Sequence, residues 1–467
     1  MMRPGGPSYE KGSCLSRRAT FTLHWKNPLR FAALSLVLFL NACAERDMTV
    51  SPSPQENART FSSQTSGGEG MNLPRISAES GHSYDPPPGL PPHVPGVIVV
   101  LVNAEGDLEQ LNQDYGTTTE EFYDDCNFGI LLIPEGSDLY QICHAMEESG
   151  DCSIAEPIYL TESPESNQGT IPFYEGDHVI SDVFDQDALS RMGAAQAHDD
   201  ATGEGVVVAV LDTGVDYTHP DLSAFVSDEG YDFFDEDADP LDVVDGLDQD
   251  FDGSADEGAG HGTHVAGLVH AVAPGATILP IRVLDSEGNG TSVAVARGIR
   301  YAVENGAQVI NLSLGLSTTA DVIKREIQNA RSSEIVVVAS AGNRGILDPE
   351  HFPANRHEVL GVASTNSLDL KAEFSSYSQH VDMCAPGENI LSTFLNHGYA
   401  IWSGTSMSTP MVSGAAALRI QLHPSADADE IIDAIEDSSL ELDFHGYPYD
   451  GKMGEGRLDL AALTAAD

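Results

Sequence analysis

The stretch GVVVAVLDTG, residues 205–214, decides the fold. Val206 to Leu211 form a continuous apolar run without polar alternation, as expected of a strand covered on both faces in a parallel sheet. Asp212 follows directly, at the carboxyl end of that strand. Working outward, further strands are expected at 277–283, 308–313, 335–340 and 358–363. Helices fit 261–270, 291–304, 320–332, 406–420 and 427–437. This alternation predicts an α/β fold with a mostly parallel central sheet between helical layers. Such sheets bind their ligands at the carboxyl ends of the strands. No internal repeat interrupts the pattern.

Upstream, residues 96–160 read as a small separate α/β module. Its expected order is a strand at 97–102, a short helix at 108–112, a strand at 128–133, a helix at 137–148 capped by Ser137, and a strand near Ile154. The stretch 161–187 begins Ser-, Pro- and Asn-rich, as an exposed linker and processing segment would. Residues 44–95 are poor in apolar groups and rich in Ser, Pro, Gly, Glu and Asn, the composition of a disordered tether. Within 1–43, the run FAALSLVLFL at 31–40 follows Lys26 and Arg30. It is too short to span a bilayer and suits a signal-peptide core. The main body is expected at 188–467.

Bulk composition narrows the function classes. Only 22 basic residues oppose 73 acidic ones, for a formal charge of -51, and 5 of the basic residues are lysines. So negative a surface repels phosphate backbones and makes nucleic acid an improbable partner. It favours bound cations or a salty medium, where screening weakens self-repulsion; an acidic surface that is merely soluble fits the composition equally well. The cysteines, at 14, 43, 126, 143, 152 and 384, form no C-x-x-C pair and no zinc-finger spacing. Cys126, Cys143 and Cys152 lie close enough in sequence to allow one disulfide in an exported protein. Cys384 reads as a buried apolar thiol.

Three positions carry the chemistry. Asp212 ends the buried strand, His261 opens a helix in GHGTHVAG, and Ser406 opens another in SGTSMSTP. Pro410 is tolerated in that helix if it falls in the first turn, which donates no intrahelical bonds. An aspartate that orients a histidine, which takes a proton from a serine, is the arrangement that serine hydrolysis needs. Taken singly, a strand-end aspartate or a helix-start serine is more often a hydrogen-bonded cap. His264, one helical turn beyond His261, reads as structural.

The surrounding words resemble the subtilisin-like serine proteases: LDTGVDYTHPDL at 211–222, GHGTHVAG at 260–267, GTSMSTPMVSGAAAL at 404–418 and GEGRLDLAAL at 454–463. The order Asp, His, Ser is also that family's order. The resemblance covers about 188–462 and implies a three-layer sandwich and a serine endopeptidase acting on extended peptides. It implies Asp212, His261 and Ser406 as the triad, and Asn343, in SAGNRG, as an oxyanion donor. Ser313, Leu314 and Gly315 in NLSLG resemble the substrate-pairing edge. Ala339, Ser340, Ala341 and Gly342 resemble a wall of the primary specificity pocket, whose small residues suggest an open, apolar-tolerant space. Asp232, Asp235, Asp237 and Asp239 resemble the calcium loop of thermitase-like members.

Asp248, Asp250 and Asp252 followed by Gly253 have the opening spacing of an EF-hand. Ala259 at the twelfth position excludes a complete one. A bare solvated acidic loop is the alternative to Ca2+ there. The module at 96–160 resembles the family's inhibitory propeptide, which implies an intramolecular inhibitor, cleavage within 160–185, and a monomeric zymogen. Leu40-Asn41-Ala42-Cys43 resembles a bacterial lipoprotein box, implying export and a lipid anchor at Cys43; ordinary cleavage nearby would leave that thiol free. Two competing functions are a catalytically silent, acidic calcium-binding surface protein and an esterase-type hydrolase. The second would need a shielded apolar pocket.

Overall fold

The computed structural model describes residues 90–165, 172–173, 178–248 and 254–466. The signal segment, the Cys43 box, most of the tether, Asp250 and Asp252 lie outside them. The small module contains β1 (His93–Leu101), α1 (Asp107–Tyr115), β2 (Thr118–Tyr123), β3 (Phe128–Leu132), α2 (Leu139–Ser149) and β4 (Ile154–Glu162). Short helices α3 (Ile180–Phe184), α4 (Asp187–Met192) and α5 (Ala194–Ala197) lead into the larger body. That body runs β5 (Val207–Asp212), β6 (Tyr231–Asp232), α6 (His261–Val272), β7 (Thr277–Arg282), β8 (Asn289–Thr291), α7 (Ser292–Glu304), β9 (Val309–Leu312), α8 (Asp321–Ser332), β10 (Val336–Ser340), β11 (Leu360–Thr365) and β12 (Met383–Pro386). It closes with β13 (Ile390–Phe394), β14 (Gly398–Trp402), α9 (Thr405–Leu422), α10 (Ala428–Asp437) and α11 (Leu460–Ala465).

Seven strands form the central sheet in the order β12-β11-β10-β9-β5-β7-β6. Every pairing in it is parallel. The apolar run at 206–211 is explained by where its side chains go. Val208 and Val210 point into the core shared with α6 and α9, whereas Ala209 and Leu211 point into the core shared with α7 and α8. Val336 and Val338 alternate with Val337 and Ala339 in the same way on β10. A strand buried on both faces cannot show a polar alternation. Both helices that begin in the active-site words lie in the first core: α6 is buried along its whole length, and α9 from Thr405 to Arg419.

The small module is built the same way on a smaller scale. One face of its sheet, through Ile98, Val100 and Leu131, is covered by α1 and α2. The other, through Val97, Val99, Phe128, Ile130 and Ile158, packs into the core that contains α7 and α8. Its last strand, β4, pairs with β8 of the main body, so the five-stranded sheet β2-β3-β1-β4-β8 crosses between the two. Glu156 adds a polar tie. Its carboxylate accepts from the backbone N–H groups of Asp321 (2.8 Å) and Val322 (2.9 Å). It thereby caps α8, whose own Ala320 has no side chain to do so.

Several expectations change. Asp138, not Ser137, caps α2, accepting from Gln141 N at 3.1 Å. Pro410 lies at the sixth position of α9, beyond the first turn. A proline there leaves the carbonyl four residues earlier, that of Ser406, without its helical donor. Ser313 Oγ fills the gap, donating to Ser406 O at 3.1 Å. Cys126, Cys143, Cys152 and Cys384 are all free and buried. They serve as apolar packing groups, Cys126 in the core under α7 and α8 and Cys143 and Cys152 under the module's own helices.

Candidate active site

β5 delivers Asp212 at its carboxyl end, and α6 begins with His261 beside it. His261 Nδ1 donates to Asp212 Oδ1 at 2.7 Å, and both side chains are wholly buried. Gly262 makes this approach feasible: a Cβ there would lie 2.1 Å from the Gly214 carbonyl oxygen and 3.0 Å from Asp212 Cβ. The start of α6 is held from outside by Asp242. Its carboxylate accepts from Gly260 N (2.9 Å), Thr263 N (3.1 Å) and Thr263 Oγ1 (2.7 Å). Burial raises the Asp242 carboxyl to about 7, with the Thr263 and Gly260 bonds pulling it down. Asp242 sits in the acidic insertion, where its role was not distinguishable from its neighbours. His264 ties α6 to the β13–β14 hairpin, Nε2 reaching Ala400 O (3.1 Å) and Ile390 O (3.2 Å). Burial drives its pKa down to about 3, so it is neutral.

Ser406, the second residue of α9, is fully buried in this state of the chain. Asn343 faces it from the loop after β10. Thr405 fixes the amide of Asn343, donating to Oδ1 from both N and Oγ1 at 2.9 Å. Nδ2 is thereby aimed at the space in front of Ser406 N. The four residues Asp212, His261, Ser406 and Asn343 thus converge from three elements and one loop.

That space is filled by the chain itself. Glu165, just beyond β4, places its carboxylate in the centre of the four. Oε2 bonds to Ser406 Oγ at 2.6 Å and to His261 Nε2 at 3.0 Å. Oε1 accepts from Asn343 Nδ2 at 2.9 Å and from Ser406 N at 3.4 Å. Gly404 leaves the room: a Cβ there would lie 1.7 Å from Oε1. Burial alone would depress the charge on His261, but Asp212 on one side and Glu165 on the other raise its pKa to about 10. The imidazole is therefore held as imidazolium and has no free lone pair with which to take a serine proton.

The approach of Glu165 follows the edge expected for a peptide. Glu162 N donates to Gly315 O at 3.1 Å, and Gly315 N donates back to Glu162 O at 2.9 Å. Ser163 N then donates to Gly288 O at 2.8 Å on the opposite side. Pro164 has no N–H to continue the ladder, and the chain turns there. Of the expected substrate residues, Gly315 alone makes this main-chain pair. Ser313 is buried against α9, and Leu314 is a core residue. On the facing wall, Ala339 lies in the core and Ala341 in a small cluster with Cys384, while Ser340 is buried and ends β10. Gly342 donates its N–H to Thr405 Oγ1. The expected open pocket is not open: His351 fills the space next to Gly315 and Gly342.

The acidic insertion fits a metal only in part. Arg282 Nη1 bonds to Asp232 (2.6 Å) and Asp235 (2.7 Å), so a guanidinium already offsets one of the two negative charges there. Asp237 accepts from Asp239 N, and Asp239 from the Tyr217 hydroxyl. Among the described residues no three acidic, histidine or cysteine side chains group as metal ligands. Asp248 lies at the edge of the described chain.

Residues 203–458 match the Subtilase family. This chain belongs to that family. It is a serine endopeptidase of the subtilisin type, and the silent binding protein is not favoured. Thermitase of Thermoactinomyces vulgaris is 43% identical over 238 residues, covering 49% of this chain and 79% of that protein. The thermophilic serine proteinase of Bacillus sp. (strain AK1) is 33% identical over 375 residues, covering 77% and 85%. The solved structure of fervidolysin from Fervidobacterium pennivorans, described as a keratinolytic enzyme related to subtilisin, is 26% identical with a TM-score of 0.63. That match covers 80% of this chain and 61% of fervidolysin, so this subtilase spans about three fifths of the fervidolysin chain.

Proposed function

We propose that this subtilase is made as a self-blocked zymogen in which Asp212, His261 and Ser406 form the triad and Asn343 the side-chain half of the oxyanion hole. The observation that carries the reading is the Glu165 carboxylate. Its two oxygens bond to the very groups that would hold a tetrahedral intermediate: Ser406 Oγ and His261 on one, Asn343 and Ser406 N on the other. An anion bound there mimics the developing oxyanion.

With Glu165 withdrawn, His261 loses the carboxylate that held it charged and releases its Nε2 proton to water; the neutral Nε2 then takes the proton of Ser406 Oγ as that oxygen attacks the scissile carbonyl. Asp212 stays ionised and holds the ring. The carbonyl oxygen, now negative, takes the place of Oε1 between Asn343 Nδ2 and Ser406 N. The imidazolium then protonates the leaving amine, and water releases the acyl group by the reverse route. The substrate is an extended peptide or protein segment adding along Gly315 through its main chain, as β4 does.

The module at 96–160, with the segment that carries Glu165, is the intramolecular inhibitor, and cleavage within 161–187 releases it. The intact chain should hydrolyse casein slowly and the processed chain quickly, and Ser406→Ala should abolish both. Residual activity in that variant would rule out the nucleophile. The chain is exported as a monomer and anchored by lipid at Cys43, a reading that failure of palmitate labelling, or its persistence in Cys43→Ser, would overturn. Ca2+ is held in the second acidic group, around Asp248, Asp250 and Asp252, where it would steady the rim before α6. An unchanged melting temperature in chelator would count against it.

A further inference from the structure

Gly315, of the expected substrate-pairing edge, and Gly342, of the expected wall of the specificity pocket, both open onto one imidazole. A Cβ at Gly315 would lie 2.4 Å from His351 Nε2, and one at Gly342 would lie 3.0 Å from Cε1. The ring therefore occupies the volume between the walls. β4 leads toward the same place: Glu162 pairs with Gly315, and the chain turns two residues further on, at Pro164. The side chain there, Pro164, is short and buried.

The imidazole is not free to swing aside. Phe352, next in sequence and fully buried, exchanges backbone bonds with Leu316 (2.8 and 3.1 Å), which anchors His351 to the strand that carries the substrate edge. Nδ1 lies 3.9 Å from Asp348 Oδ2, and that carboxylate is gripped by Arg344 through Nε (3.0 Å) and Nη2 (2.5 Å). Nε2 is buried without a hydrogen-bond partner. A long apolar side chain would have to displace an anchored ring or bury itself against that nitrogen.

We propose that His351 is a specificity-determining residue that restricts the position before the scissile bond to short side chains. The inference rests on the peptidase reading above. It is tested with the processed enzyme and four quenched peptides identical except for Ala, Ser, Leu or Phe at that position, active sites being counted by fluorophosphonate titration. The wild type should cleave the Ala and Ser peptides with kcat/KM about tenfold or more above the Leu and Phe peptides. His351→Gly should raise the Leu and Phe values about tenfold, leaving Ala within about threefold. His351→Gln, which keeps the bulk, should retain the wild-type order. Equal cleavage of Phe and Ala peptides by the wild type would overturn the proposal, whether or not the variants fold. So would an unchanged ratio in His351→Gly. Failure to cut any of the four peptides would instead overturn the peptidase reading, and this inference with it.

Discussion

At the scale of single residues, the site is a set of donors already pointing at a negative charge. Thr405 makes Asn343 an oriented donor rather than a free amide, since both its N–H and its hydroxyl hold Oδ1. Replacing Asn343 with Ala in the processed enzyme should lower kcat by about 10²–10³-fold with little change in KM. A rise confined to KM would assign Asn343 to ground-state binding instead. Asp212, His261, Ser406 and Asn343 could be picked out because the words around them resemble the subtilisin-like proteases, and the glycines of those words at 262 and 404 have a steric purpose. Glu165 was not. In SPES it has the look of a solvated linker residue, and nothing local marks a carboxylate that finds its partners in positions 261, 343 and 406. His351 escaped for a related reason: glycines at 315 and 342 suggest empty space, but a distant side chain decides whether the space is used.

At the scale of elements, two helices depend on carboxylates supplied from elsewhere in the chain. Asp242 holds the first turn of α6 and so the position of His261. Asp242→Ala should cost about 1–3 kcal/mol of stability, because it leaves buried N–H groups without acceptors. It should also lower kcat; a variant with unchanged melting temperature and kcat would remove Asp242 from this account. Five of the seven strands of the parallel sheet and the long helices were readable to within a residue or two, since β5, β7 and β10 are bounded apolar runs; the short β6 and β12 were not. The β13–β14 hairpin was missed although its turn is conspicuous: Asn396 and His397 both have positive φ, as a tight hairpin turn requires. β2, reading TTEEFY, was missed because an edge strand can be largely polar. The helix α9 taught the opposite lesson. A proline that was expected at its start lies inside, and Ser313, just beyond β9, compensates.

At the scale of the whole molecule, the small module is docked by an apolar face, by strand pairing to β8 and by Glu156. Burial raises the Glu156 carboxyl to about 7 from 4.5, against the opposing pull of the Val322 and Asp321 amides. The docked state therefore binds a proton more tightly than the undocked one. Its contribution to docking is full below pH 4.5 and is lost as pH rises through 7. In a chain cut within 161–187, the affinity of the module for the main body should fall over that window. Glu156→Gln should flatten the dependence; an unchanged profile would show that another group governs it. Composition and alternation set residues 96–160 apart as a module of their own. The crossing of β4 into β8 was not, because strand partners so far apart in sequence leave no local signature.

The central claim is that Ser406 is a nucleophile held in check by the Glu165 carboxylate. The most direct measurement is the rate at which a fluorophosphonate labels the intact, uncut chain, with the modified residue located by peptide mass spectrometry. The account predicts almost no labelling of the wild type, and prompt labelling of Ser406 in Glu165→Ala at a rate near that of the processed enzyme. Equal labelling of the intact wild type and Glu165→Ala, or labelling of the processed enzyme anywhere but Ser406, would contradict it.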